Sequence, residues 1–346
     1  MKRLAILMKT YLVASIIFLG LLFSCTKSNV KENTQFTGYG WLVPLDQLVI
    51  HEDNLDRIQS IDYPVYIKTS AISFNPNEEV LVFQSKNLVK IYPVNTIWSY
   101  EIVNDQYEDY FFTVSYCPIT ASGIAWNREL NNGVTTFGVS GSLYNSNLIP
   151  YDRNSGSFWT QMKLRSIKGP LGDDKLENEF LLHTIYSTAV SAYPEAVVLI
   201  DTSGNHECDS NCLSPSVKLS GKDDSAMFLD ENYFGVISND EALLFDYELF
   251  ADSIHIIQAQ FRSLALLIIG SKELGFITGF IHNGSEKFQP LNNQLPDIMV
   301  DSQGNTYDLM GNVTGGPKKG QRLKAPISYS AKKFAWELFF PDPVFY

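Results

Sequence analysis

The sequence predicts a mainly β protein (α+β with little helix), built from two tandem, internally duplicated β-rich repeats packed into one globular unit. Three observations carry that expectation. Apolar residues alternate or stay in short runs, turn residues separate them at close intervals, and four segments of the first half recur in order in the second. Of 346 residues, 45% are hydrophobic and 13% aromatic, which is enough for a large core and too apolar for a disordered chain.

Residues 1–24 read as a lipoprotein signal peptide. Met1-Lys2-Arg3 precedes an apolar run interrupted by Lys9, and Leu22-Phe23-Ser24-Cys25 closes it. An aliphatic residue, a small residue and then a cysteine form the pattern in which the thiol takes up diacylglycerol and becomes the new N-terminus. An ordinary secretory signal or an uncleaved membrane helix are the alternatives. Residues 25–39 are polar and without period, as expected of a lipid-anchored flexible tether, and residues 40–74 lead into the first repeat. The expected address is the cell envelope, at the outer membrane on its periplasmic or surface side, with the membrane as a partner through the lipid on Cys25. The formal charge of −12 becomes −12 − 3 = −15 when Lys2, Arg3 and Lys9 leave with the signal. An acidic chain without basic clusters is a poor nucleic-acid binder.

Repeat 1 spans 75–200. EVLVFQ, LVKIYPV, DYFFTVSY, SGIAWNREL and VTTFGVSG read as its strands. Turns are expected at residues 85–87, at Asn104-Asp105 and at Asn131-Asn132-Gly133, the last a hairpin signal. A short helix is expected over 183–193, stopping near Pro194. Residues 201–228 link the repeats. They carry Cys208 and Cys212 in a polar loop, which an oxidising compartment would bridge as a disulfide; a metal held with His206 is the weaker alternative. Repeat 2 spans 229–346, with a helix expected over 328–340.

The duplication rests on paired segments. VFQSKNLVKIYPV (82–94) matches VISNDEALLFDYE (236–248) at an offset of 154. RSIKGPLGDDKL (165–176) matches NVTGGPKKGQRL (312–323), and AYPEAVVL (192–199) matches FFPDPVFY (339–346), both at 147. Asp152 and Gly156 match Asp301 and Gly304.

Polar groups concentrate in one stretch of repeat 1, residues 137–161. Tyr144, Asn145, Asn147, Tyr151, Asp152, Arg153, Ser157, Trp159 and Gln161 offer rings, amides and a charge pair, a set suited to a polar organic ligand such as a sugar or peptide. The same residues also suit turns, and the recurrence of Asp and Gly in repeat 2 favours that for Asp152 and Gly156. With Cys25 acylated and Cys208 and Cys212 paired, Cys117 is the odd thiol. It begins Cys117-Pro118-Ile119-Thr120, so a resolving second thiol is missing. A buried structural role, a reactive nucleophile with His183 or Arg128 as neighbour, and a ligand or soft-metal contact are the three options. No phosphate loop, nucleophile elbow or zinc motif occurs, and no metal or cofactor is expected.

VSYCPITASGIAWNR, TTFGVSGSLYNSNLIPYDRNSGSFWTQ and the GPLG and GPKKGQRL segments resemble the large prokaryotic family catalogued as domain of unknown function 3179, from about residue 60 to the C-terminus. Many members carry Cys-Pro-Leu-Cys where this chain has Cys117 to Thr120; others have threonine at the last position. The resemblance implies a shared fold and site region without implying a substrate. The leading expectation is a ligand- or partner-binding envelope lipoprotein. A thiol-dependent enzyme or redox protein using Cys117 comes second, and a structural or assembly lipoprotein third.

Overall fold

Val80, Val82, Val89 and Ile91 face one way from the first long hairpin, and Leu81, Phe83 and Tyr92 face the other. Both sets are buried, so that hairpin lies between two packed layers. The computed structural model describes residues 39–51, 54–200, 232–292 and 295–346. The expectations for Cys25, Cys208 and Cys212 lie outside the described residues.

In the first half the strands are β1 (Leu48–Val49), β2 (Val65–Lys68), β3 (Glu79–Ser85), β4 (Leu88–Pro93), β5 (Ile102–Tyr107), β6 (Tyr110–Cys117), β7 (Ser122–Asn127), β8 (Glu129–Leu130), β9 (Gly133–Val134), β10 (Phe137–Tyr144), β11 (Asn147–Asp152), β12 (Phe158–Thr160), β13 (Arg165–Lys168), β14 (Asn178–Glu179), β15 (Leu182–Ile185) and β16 (Val197–Ile200), with helices α1 (Val94–Ile97) and α2 (Tyr186–Ala192). The second half has β17 (Asn232–Ser238), β18 (Glu241–Asp246), β19 (His255–Phe261), β20 (Leu264–Ser271), β21 (Phe276–Ile281), β22 (Phe288–Pro290), β23 (Asp297–Asp301), β24 (Thr306–Asp308), β25 (Val313–Gly315), β26 (Ile327–Lys332) and β27 (Val344–Phe345), with α3 (Lys333–Phe339) before the last. Strand makes up 49% and helix 10%, so the fold is mainly β.

The sheet orders of the two halves correspond. Sheet I (β15-β3-β4-β16-β2) has a counterpart in sheet I′ (β26-β17-β18-β27). Sheet II (β14-β7-β6-β5) matches sheet II′ (β19-β20-β21), and sheet III (β1-β10-β11-β12-β13) matches sheet III′ (β22-β23-β24-β25). In each half a short helix returns the chain so that the last strand runs parallel to the second: β16 beside β4, β27 beside β18. The segment after β13 bridges Arg165 to Lys175, and that after β25 bridges Asn312 to Arg322, both pairs 147 apart.

The layers interlock. One face of sheet I packs on sheet II through Leu81, Phe83, Tyr92, Phe112 and Val114, and one face of sheet I′ packs on sheet II′ through Phe234, Val236, Leu243, Phe245 and Leu266. The remaining faces cross over. The inner core between sheets II and III is closed by Leu244, Tyr329, Ala331 and Trp336 of the second half. The inner core between sheets II′ and III′ is closed by Val80, Val82, Ile91, Val198 and Tyr186 of the first.

Three sequence expectations need correction. The β3–β4 hairpin pairs Ser85 with Leu88, and the β17–β18 hairpin pairs Ser238 with Glu241, so the offset is 238 − 85 = 153, not 154. A slip of one residue inverts the face of every side chain, and strand period alone does not detect it. Asn104-Asp105 is not a turn. Both sit mid-strand in β5, 1% and 3% exposed, because each finds side-chain partners across the sheets, and the turn falls at Glu108-Asp109. The helices are shorter than expected, since residues 182–185 and 327–332 are strands that complete sheets I and I′. In the lead-in, β1 edges sheet III and β2 edges sheet I.

Gly235 shows how tightly the crossover packs. A Cβ there would lie 2.4 Å from the Trp336 ring, which is fully buried and stacked on Tyr329 at 4.8 Å. Gly235→Ala is expected to lower stability by about 1–3 kcal/mol, read from the urea unfolding midpoint; a cost near zero would mean that the ring is free to shift.

Candidate functional site

The polar residues expected to form one pocket separate into four groups. At the tip of the β10–β11 hairpin, Asn145 and Ser146 both have positive φ, the geometry of a tight two-residue turn. Tyr144 packs edge-on against Phe339 at 5.0 Å, and Asn145 Nδ2 donates to Leu338 O at 3.1 Å, so this tip braces the first half on α3. Arg153 holds the lead-in. It pairs with Asp56 at 2.8 Å and Asp62 at 3.1 Å and donates to Ser60, while Tyr151 OH donates to Asp56. Burial alone would lower the Arg153 pKa, but the hydrogen bonds and charges of the two aspartates outweigh it and raise it. Asp152 organises its own turn. It is fully buried and accepts from Ser155 N, Ser155 Oγ and Trp159 Nε1. Ser157 Oγ accepts from Leu171 N, as Asn305 Oδ1 accepts from Lys318 N in the second half. Asp301 likewise takes Gln303 N, Asn305 N and Tyr307 OH.

The fourth group lies in the first-half inner core. Asn147 and Gln161 are fully buried. Asn147 Nδ2 donates to Gln161 Oε1 at 2.7 Å and to Thr120 Oγ1 at 2.9 Å. Gln161 Nε2 donates to Ser115 Oγ at 2.9 Å, and its Oε1 accepts from Ser122 Oγ at 2.8 Å. Thr120 and Ser122 share a further bond at 2.9 Å. Asn147 Oδ1, in contrast, is buried without a partner. An unsatisfied buried acceptor costs about 1–3 kcal/mol, so this atom stands out in an otherwise paired network.

Cys117 borders this network and is 1% exposed. Burial pushes its thiol pKa up and the Glu101 charge adds to that, against the lowering hydrogen bonds from the Thr120 side chain and from the Thr120 and Leu148 backbone. The neighbours weighed in the sequence are elsewhere. His183 Nε2 faces Glu79 at 3.2 Å, and Arg128 donates to the carbonyls of Asp105 and Thr135. Glu101 had no sequence signal. Its carbonyl accepts from Tyr116 N, its φ is 58°, and burial pushes its carboxyl up to about 7. Among the described residues no cluster of His, Cys, Asp and Glu is suited to a metal ion.

The second half supplies a control. Cys117 pairs with Ser122 as Ser271 pairs with Phe276, an offset of 154, and the intervening turns share a positive φ at Ala121 and Gly275. Ser115, Thr120 and Ser122 therefore correspond to Ile269, Leu274 and Phe276, all packed in an apolar core. In the second half the corresponding positions are hydrocarbon. The polar lining in the first half is a property of that site.

A mainly β protein of two interlocked halves, one of which carries a buried polar network within its inner core, is the class that fold and site define. The chain belongs to the family described as protein of unknown function, DUF3179, whose model matches residues 55–343. No curated protein and no solved structure matches it.

Proposed function

We propose that this chain is a lipid-anchored cell-envelope protein whose first-half inner core binds a small polar ligand. The carrying observation is the unpartnered Asn147 Oδ1 inside a buried network that the second half replaces with Ile269, Leu274 and Phe276. A buried polar network is costly unless complete, and the free Asn147 Oδ1 is one acceptor short of completion. The matching sheet orders support reading the halves as copies of one unit, of which the first has specialised. Tyr144, Asn145, Tyr151, Asp152, Arg153 and Trp159 then brace the site, and Asn147 and Gln161 face the ligand.

The thiol-enzyme reading comes second. Glu101, with its carboxyl pushed up to about 7, favours it as a base, while the burial and raised pKa of Cys117 keep the thiolate scarce. The binding reading is tested with Asn147→Leu/Gln161→Leu. Thr120 and Ser122 would still bond each other and Ser115 Oγ would still donate to Ile124 O, so stability should stay within about 1 kcal/mol of the parent. Native mass spectrometry of the protein released from its own envelope should show a small-molecule adduct on the parent and none on the variant. Parent protein without any adduct would sink the idea.

A further inference from the structure

Exposed apolar side chains are unevenly placed on this protein. Of fourteen large hydrophobic residues exposed among the described residues, eight lie between Tyr39 and Val65. The first of them form a stripe: Tyr39, Leu42, Leu45, Val49 and Ile50, with Leu45 65% and Leu42 59% exposed. Between Tyr39 and Ile50 the only charged residue is Asp46. The stripe is held in place. Leu42 N donates to Ile167 O at 2.8 Å, β1 pairs Leu48 with Tyr144, and Gln47 O accepts from Asn145 N at 2.9 Å. Asn145 also donates to Leu338 O, which brings half-exposed Leu338 to the same edge. A fixed, nearly uncharged apolar edge in contact with water needs a cover.

Where the chain enters this edge decides what the cover is. The described part begins at Tyr39, 39 − 25 = 14 residues after Cys25. Fourteen residues span at most about 50 Å fully extended. If Cys25 carries the lipid, the first exposed apolar residues are the part of the described chain closest to it in sequence and lie within that reach of the bilayer. We infer that this stripe docks on the lipid surface, inserting Leu42, Leu45 and Val49 at the boundary between headgroups and acyl chains and fixing the orientation of the domain. The inference rests on the lipid-anchor part of the proposed function. Among the described residues no helix is long and apolar enough to cross a membrane, so the contact is interfacial. No lysine or arginine lies in the stripe, so the attraction is apolar and does not require anionic lipid.

The full lipidated chain is reconstituted on vesicles of phosphatidylcholine and phosphatidylethanolamine, and backbone hydrogen exchange is compared with that of the Cys25→Ser protein in solution. Exchange over residues 39–50 is expected to slow about five-fold on the vesicles, while strands of sheet II′ stay unchanged. Equal exchange in both states, with the lipidated protein fully membrane-bound, overturns the docking inference and leaves the anchor intact. Cys25→Ser protein that still sediments with membranes overturns the anchor instead; Leu42→Ser/Leu45→Ser/Val49→Ser in that background should then release it, and failure to do so overturns the docking inference too. Protection of 39–50 in solution that grows with protein concentration means that a second copy covers the stripe, which also overturns it.

Discussion

Asp105→Ala is expected to lower stability by about 3–5 kcal/mol, the cost of leaving a buried charge without its partner. Lys90 and Asp105 bridge sheets I and II at 2.7 Å with side chains 6% and 3% exposed. The other carboxylate oxygen accepts from Tyr92 OH at 2.5 Å and from Tyr66 OH. Burial lowers the Lys90 pKa and Asp105 opposes it. Without Asp105 the ammonium keeps Gln106 O at 3.0 Å and the rings of Tyr66 at 4.4 Å and Phe112 at 5.6 Å. The second half indicates the repair. At the positions of Lys90, Tyr92 and Asp105 it carries Leu243, Phe245 and Ala259, by the same hairpin registers. Lys90→Leu/Tyr92→Phe/Asp105→Ala, which removes the ammonium and the buried Tyr92 hydroxyl together with the carboxylate, should therefore recover most of the loss. Urea midpoints of the two variants decide the matter: a triple variant no more stable than the single would show that the set is not an exchangeable unit.

Glu101→Gln is expected to change how stability depends on pH. Burial raises the folded-state pKa of Glu101 from 4.5 to about 7. The native state therefore holds this proton more tightly than the unfolded chain does. Its contribution is complete below about pH 4.5, falls as pH rises toward 7 and is gone above that. The slope is at most about 1.4 kcal/mol per pH unit, or about 3 kcal/mol across the window. Glutamine is neutral throughout, so the variant should be the more stable protein at pH 8 and close to the parent at pH 4.5. Denaturation curves at four pH values give the difference directly, and parallel pH profiles would mean that the carboxyl is solvated in the native state. The same variant reports on the Cys117 thiol, which should titrate at lower pH once the neighbouring charge is gone.

The fold class was legible because it rests on local pattern. Period-two runs such as Glu79–Ser85 and turn residues such as Asn131-Asn132-Gly133 act within a few positions. The concentration of polar groups in the first half was legible too, since comparing 137–161 with its counterpart needs no third dimension. Partners were not. Asn104-Asp105 reads as a turn dipeptide until Lys90, Tyr92 and Phe137 arrive from other strands. Nothing near Cys117 in sequence points to Glu101, sixteen residues away on the far side of a hairpin. Asn147 and Gln161 looked like members of the same set as Tyr144 and Arg153, and only packing separates the inner network from the surface braces.

The crossover of the cores also bears on assembly. Sheet I closes the inner core of the second half, and sheet I′ with α3 closes that of the first. Neither half cut out alone would bury its own inner core; each would present an open hydrophobic face. Two identical halves related by a two-fold axis would satisfy each other, because the contact is self-complementary. In the language of quaternary structure, the two halves of this single chain meet as partner subunits do, each closing the other's interior.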